Sequence, residues 1–515
     1  MVPALAGLIK AKNTLGDLAE LCRLEVCRAL DKKRRSALGQ FLTPPHVAAL
    51  MASMFKTVPA TIELLDPGAG VGALTAAFVK EVLTRPHRPK VIRAYCFEIE
   101  PAFYPSLQRV LKACEHECNE HGVEFDAHSE TADFLNVAVD HLIGANLFEP
   151  RSLPSFTHVI LNPPYKKLSA ESRERSKLRH VGVETSNYYA AFVWLSMLLL
   201  NPRGEMVSIT PRSFCNGPYF KAFRAEFVRE MFLRRLHVFE SRSAAFAQDE
   251  VLQENVIVHS TKWQPGPSRA SISSSGGAPG SKICTRHVAY CDVVQPEDPQ
   301  RFIHLVVDDV QARAREMIKQ LTAGLDQLGL SVSTGRVVDF RARPFLRQHP
   351  SHGTAPLIYP RHFNGGFVHW PKPSIRKPNA LLMNDRTRTL LVPAGVYTLV
   401  RRFTAKEERR RVVACLYDPT KIDAAWVGFE NHLNYYHRQG HGLPRCLAKG
   451  LSVFLNSTVL DVYFRLFSGH TQVNATDLRT LKYPERVALE RLGKRIDDLE
   501  MTQESLDLLV ERELF

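Results

Sequence analysis

Four short clusters along this 515-residue chain carry side chains able to do chemistry together. The sharpest is "HVILNPPYKKL", residues 158 to 168, where an apolar run stops on Asn162, Pro163, Pro164 and Tyr165. Proline removes a ladder donor, so the two prolines must lie just past the carboxyl end of a strand. Each also holds the residue before it in an extended conformation, which makes the loop stiff. Such a loop presents a carboxamide oxygen, a backbone carbonyl and an aromatic face. Two acceptors beside a ring suit a planar amine, and a purely structural turn is the competing reading.

Three clusters precede it. In "LLDPGAGVGALTAAF" a strand ends at Asp66 and a turn through Gly68, Gly70 and Gly72 opens a helix. Glycines there let backbone amides at a helix start approach a nucleotide-like ligand, although the spacing is not GxGxxG and a bare tight turn remains open. In "CFEIEP" the next strand ends on Glu98 and Glu100. A carboxylate at the tip of a second strand can accept both hydroxyls of a ribose, and Glu98 is the choice, with Glu100 or plain solvent exposure as alternatives. In "ETADFL" Asp133 and Phe134 would suit an adenine, by a hydrogen bond to its amino group and an apolar face against its ring. A helix N-cap by Asp133 competes equally.

The elements that must position these groups alternate. Strand-like "TIELLDP", "KVIRAYCFEIE", "HVILNPP", "GEMVSITP" and "LRRLHVFE" are separated by helix-like stretches between about residues 60 and 262. That order predicts a doubly wound parallel α/β sheet with ligands at the carboxyl ends of its strands. The Ser- and Gly-rich segment 264 to 282 reads as a long hairpin loop joining two edge strands, "ENVIVHSTKW" and "KICTRHVAYCD". "DDVQARAREMIKQLTAGLDQL" reads as a helix near the domain boundary. The division expected is 1–315, with a helical N-terminal segment 1–36, then 316–490 and a helical tail 491–515.

Composition narrows the class. There is no charged segment followed by an apolar core and cleavage site at the start, and the longest apolar run, residues 188 to 200, is too short to span a bilayer. The expectation is a soluble, cytoplasmic protein. Ten scattered cysteines without a CxxC pair fit reduced thiols. Cys114, His116, Cys118 and His121 in "CEHECNEH" lack a matching downstream pair, so an amphipathic helix is preferred and no metal is expected. The net charge is +14, and residues 331 to 411 hold sixteen Lys or Arg against four acids, interleaved with aromatics. A phosphate-binding surface is the reading, against a merely solvated basic face.

Taken in order, the clusters resemble the adenine-N6 DNA methyltransferases of the gamma motif order found in restriction-modification systems. The likeness spans residues 35 to 485, beginning with "ALGQFLTPPHVAALMASMF" and running through "DPGAGVG", "FEIEP", "ADFL" and "NPPY". The resemblance implies a Rossmann-like methyltransferase domain followed by a DNA target-recognition domain, with S-adenosyl-L-methionine as cofactor. It implies Gln40, Phe41, Thr43 and Pro44 in the cofactor pocket, and Asp66, Gly68 and Gly70 at the methionine part. Glu98 would take the ribose, and Asp133 with Phe134 the adenine. Asn162, Pro163, Pro164 and Tyr165 would hold the target base, with Asn162 also beside the cofactor and Phe246 stacking on the base's far face. The implied partners are double-stranded DNA and a separately encoded cognate restriction endonuclease; the chain is expected to be a monomer. "GHTQVNATDL", residues 469 to 478, offers Gln472 and Asn474 as adenine-edge readers before a helix capped at Thr476, although Asn and Thr here are also ordinary cap residues. Cytosine-N4, RNA or protein-glutamine methylation and a non-catalytic DNA-binding module are the alternatives.

Overall fold

A computed structural model describes residues 14–29, 41–144, 153–240, 254–263, 268–374, 376–405, 407–469, 471–496 and 502–515. The chain divides into two compact units, Met1–Val307 and Asp308–Phe515.

The first unit is built on a nine-stranded sheet. Its strands are β1 (Thr61–Asp66), β2 (Val91–Phe97), β3 (Glu124–Glu130), β4 (Phe156–Leu161), β5 (Leu200–Pro211), β6 (Met231–Phe239), β7 (Asn255–Lys262), β8 (Arg269–Ser275) and β9 (Cys284–Ala289), in spatial order β3-β2-β1-β4-β5-β7-β6-β8-β9. The β3-β2-β1-β4-β5 run is parallel throughout, and β7 is antiparallel to both β5 and β6. Strand order reverses between β1 and β4, so a crevice opens beyond their carboxyl ends, where ligands of such sheets bind.

Helices cover both faces. On one, α1 (Leu15–Ala29), α2 (Pro45–Ala52), α3 (Ala73–Leu83) and α4 (Tyr104–Glu120) bury Val47, Met51, Phe78, Val79 and Leu107 against Ile62, Leu64, Ile92 and Ile160. On the other, α5 (Phe134–Ile143), α6 (Arg173–His180), α7 (Tyr188–Leu199) and α8 (Lys221–Glu230) cover Leu65, Val159, Leu161 and Val258. The apolar run at 188 to 200 is the buried helix α7, submerged on nearly all sides. No helix among the described residues is long and apolar enough to cross a membrane. Cys114 and Cys118 lie on the buried side of α4, while His116 points out at 74% side-chain exposure. Burial pushes the Cys118 thiol up to about 12.

Three local expectations are corrected. The Ser-rich segment is not one loop, since β8 occupies 269 to 275, parallel to β6; and β7, paired with both β5 and β6, lies inside the sheet and not at an edge. Ala270 and Ile272 face the core, and the buried serines that follow are hydrogen-bonded: Ser273 Oγ lies 2.9 Å and Ser275 Oγ 3.0 Å from the His237 ring nitrogens. The boundary helix covers only Asp309–Lys319, capped by Asp308. The helix in "GHTQVNATDL" begins at Ala475 and is capped by Asn474 with Asp477, not by Thr476.

The second unit holds a six-stranded and a five-stranded sheet of short strands. The first four strands of the larger sheet, in spatial order, are Ser331–Thr334, Leu433–His437, Tyr397–Arg401 and Ala414–Tyr417. Helices Arg445–Leu455, Thr458–Phe467 and Arg486–Lys494 belong to the same unit.

Candidate active site

A cleft of about 200 Å³ lies at the carboxyl ends of β1, β2 and β4. Its walls bring together nine of the residues that the sequence singles out: Phe41, Gly68, Gly70, Glu98, Asp133 and Phe134, with Asn162, Pro163 and Pro164.

The glycine turn forms one wall. Gly70 adopts φ +55° and Gly72 φ +85°, which side-chain-bearing residues rarely adopt. A Cβ on Gly70 would stand 2.8 Å from Leu42 Cδ2, and one on Gly68 would stand 3.7 Å from the Asn162 carbonyl oxygen. Asp66 sits beneath the turn, fully buried. Its Oδ2 accepts from Thr75 Oγ1 at 2.8 Å, while Oδ1 has no partner among the described residues. Burial, opposed by the Thr75 hydroxyl and reinforced by the Glu98 charge, raises its carboxyl to about 7.

Glu98 forms the next wall. It is buried, accepting Gly70 N–H on Oε2 and Glu100 N–H on Oε1, both at 2.8 Å. Burial raises its pKa, and those two amides pull the other way. Glu100 turns away and accepts from Ala102 N–H at 3.4 Å. Asp133 N-caps α5, with Oδ1 accepting from Leu135 N–H at 3.0 Å, and it also lines the cleft. Phe134 is buried, its ring centroid 5.7 Å from Phe97 and 5.2 Å from Phe192.

The proline loop closes the site. Asn162 Nδ2 donates to the Phe41 carbonyl at 2.7 Å and to Thr43 Oγ1 at 3.0 Å. A carbonyl can only accept, so the amide nitrogen must face it and Oδ1 is left as the acceptor. Neither Oδ1 nor the Pro163 carbonyl accepts a bond from the described residues. Tyr165 stands just behind the wall: its hydroxyl donates to the Ile209 carbonyl at 3.3 Å, and its ring lies 5.6 Å from Phe41 and 6.3 Å from Tyr189. Thr43 is likewise behind the wall, and Pro44 caps α2. Gln40 and Phe246 lie outside the described residues.

Sequence reasoning missed Leu42, Ile99, Lys166, Glu174 and Tyr188, all on the cleft wall. Ile99 had a signal, an apolar residue between two acids at a strand tip, and it is 53% exposed. Tyr188 had none, since it arrives through the bridge of Lys167 with Asn187 and a bond from its N–H to the Lys166 carbonyl at 2.9 Å.

A carboxylate at a strand tip and a glycine turn with no room for a Cβ at Gly70 fit a nucleoside, while Asp66 lies beneath the turn and off the cleft wall. The adjoining acceptor pair fits an amine. The family model described as Eco57I restriction-modification methylase matches residues 107–246. The Type II methyltransferase M.PstI of Providencia stuartii is 42% identical over 501 residues, 97% of this chain and 97% of its own. The Type II methyltransferase M.BsuBI of Bacillus subtilis is 40% identical over 467 residues, 90% of each chain. Among solved structures, the Type IIL restriction-modification enzyme MmeI in complex with DNA shares the fold, with a TM-score of 0.53 and 11% identity over 95% of this chain and 74% of that one. With two relatives at this identity over nearly their whole length, the chain belongs to the Type II methyltransferases of restriction-modification systems.

Proposed function

We propose that this chain methylates the N6 amino group of an adenine flipped out of duplex DNA, protecting specific sites in a restriction-modification system. S-adenosyl-L-methionine is the methyl donor; when bound it supplies a methyl group activated by a sulfonium. Asp66 and the backbone at Gly68 and Gly70 would hold its amino-acid end, Glu98 its ribose, and Asp133 with Phe134 its adenine. Pairing with a cation would also answer the orphan Oδ1 of Asp66.

The observation that carries the reading is the orientation of Asn162. Both its amide hydrogens are committed to Phe41 and Thr43, so its oxygen faces the cleft as a fixed acceptor beside the Pro163 carbonyl. The N6 amine is a weak nucleophile because its lone pair is delocalised into the ring. Two fixed acceptors on its hydrogens draw them out of the ring plane and localise the lone pair, with no reorganisation needed at the moment of transfer. The half-buried Tyr165 ring, with Phe246, would replace the stacking lost on flipping. The surplus of cationic side chains in 331–411 supports duplex DNA as substrate over a protein amide. Single-molecule sequencing of DNA from a host expressing the protein tests the reading: N6-methyladenine in one motif is the expected result. N4-methylcytosine, or no modified base, would overturn it.

A further inference from the structure

In the second unit, three stretches distant in sequence meet at one end of the six-stranded sheet. Strand Tyr397–Arg401 runs out beside the turn before strand Leu433–His437, with Arg401 opposite Leu433. Residues 471 to 474 then lie along 402 to 404: Val473 N–H donates to the Arg402 carbonyl at 2.7 Å and Thr404 N–H to the Thr471 carbonyl at 3.1 Å, with Phe403 bridged to Gln472. The added stretch is pinned from within. Asn434, fully buried, donates from Nδ2 to the Val473 carbonyl at 2.7 Å, and the Asn474–Asp477 capping box anchors the start of helix Ala475–Thr480.

This stiff edge presents groups of a particular kind. Phe403 is 39% exposed, with the Arg402 guanidinium 5.6 Å from its centroid and the His432 ring 4.8 Å away. Arg402 is held by the Asn431 carbonyl at 3.2 Å and Gln472 Oε1 at 3.4 Å, and no carboxylate lies within ion-pair distance of it among the described residues. His432 is 45% exposed and fixed from beneath by buried Glu430, whose Oε1 lies 2.5 Å from Nδ1 and whose Oε2 accepts the His432 backbone N–H at 3.0 Å. A guanidinium fork, a carboxamide and an oriented imidazole carry the hydrogen-bonding edges that read purines in the major groove, and a neighbouring aromatic face meets a thymine methyl or a base step. Their backbones are locked by strand addition, as readout requires.

We propose that this sheet end, through Arg402, Phe403, His432 and Gln472, reads base pairs of the DNA target. The inference rests on the proposal that duplex DNA is the substrate. Duplex DNA is the occupant because an arginine with no acidic partner among the described residues, inside a region of sixteen cations to four acids, complements a polyanion.

The test uses full-length protein. Sequencing DNA from the expressing host first gives the wild-type motif. A wild type that methylates no DNA, or methylates it without a motif, removes the DNA reading itself and this patch with it. With the motif known, single-turnover methylation is measured on a duplex bearing it and on every single-base-pair variant, for Gln472→Ala, Phe403→Ala and Arg402→Lys. The lysine variant keeps the charge and removes only the fork, so folding is not at stake. Each substitution is expected to lower discrimination at one or two adjacent positions by about fivefold to a hundredfold, leaving other positions, cofactor affinity and melting temperature unchanged. Unchanged discrimination everywhere would overturn the proposal. So would a uniform loss on all sequences with a shallower salt dependence, the mark of a phosphate contact. Retained discrimination with lost binding to a protein partner would give the patch to that partner instead.

Discussion

Replacing Asn162 by Ala removes one acceptor from the cleft and two bonds behind it. The Phe41 carbonyl and Thr43 Oγ1 lose donors at 2.7 and 3.0 Å. Phe41 is part-exposed, so water can replace that donor, whereas Thr43 is buried at 5% exposure. At about 1 kcal/mol net per neutral hydrogen bond, the stability loss is about 1–2 kcal/mol, too small to unfold the domain. The kinetic loss is larger, because a preorganised polar group acting on the reacting amine is worth about 10²–10³ in rate. Single-turnover transfer of labelled methyl to duplex DNA should therefore slow at least about a hundredfold, while calorimetry finds cofactor affinity little changed. Thr43→Ala, which frees one amide hydrogen of Asn162 without touching the cleft wall, should show a smaller loss of the same kind. A near wild-type transfer rate for Asn162→Ala would refute the role given to the carboxamide. A loss of cofactor binding matching the loss of rate would move Asn162 to the donor side.

Asp66 gives a pH test. Its folded pKa of about 7 lies above the ordinary 3.8, so the stability it contributes is present below about pH 4 and is lost as pH rises through 7. Without cofactor, Asp66→Asn should resist urea better than wild type at pH 8; in wild type, cofactor affinity should tighten toward pH 7 and then level, and an identical profile in the variant would exclude the pairing. Gly70→Ala meets both a left-handed φ of +55° and Leu42 Cδ2 at 2.8 Å, so it should lose about 1–3 kcal/mol of stability along with cofactor affinity, whereas Gly68→Ala, with nothing nearer than 3.7 Å, should lose affinity alone. Urea midpoints and calorimetry separate the two. Burial holds His158 and His237 down at about 4, so stability should fall as pH drops from 6.5 to 4. Burial would raise Glu205, but the bond and charge of His259 and the Lys56 N–H bring it down to about 2, so a second loss should run from pH 4.5 to 2 and vanish in Glu205→Gln.

The parts of the site legible in sequence are those where local chemistry decides. A strand that ends on two prolines, a glycine turn with two left-handed residues and an acid at a strand tip are dictated within a few residues, and all line the cleft. The illegible parts depend on distant partners. Strand β8 reads as a loop because five of its seven residues are Arg or Ser, and it is a strand through its backbone pairing with β6 and β9, with His237 bonding its serines. Thr476 and Asn474 are both good cap residues, and the choice falls to Asn474 because Asp477 stands three positions on and closes the box. The second unit shows little periodicity because many of its strands span only two to five residues, too short for alternation to register.

One tripeptide joins the two halves of the chemistry. Phe41 and Thr43 orient the amide of Asn162, the Phe41 ring rests against Tyr165, and Leu42 between them fills the space that Gly70 leaves empty. Gly68 on the donor side also faces the Asn162 carbonyl, across a gap that a single Cβ would narrow to 3.7 Å. The segment precedes β1 and belongs to no strand of the sheet, yet both the glycine turn and the proline loop pack against it. In-line transfer tolerates little misplacement between donor and acceptor, since an error of about 1 Å can cost a hundredfold in rate. If the turn holds the donor and the loop the amine, as proposed, bracing both on the same three residues ties their separation to one short segment beside the central strands β1 and β4.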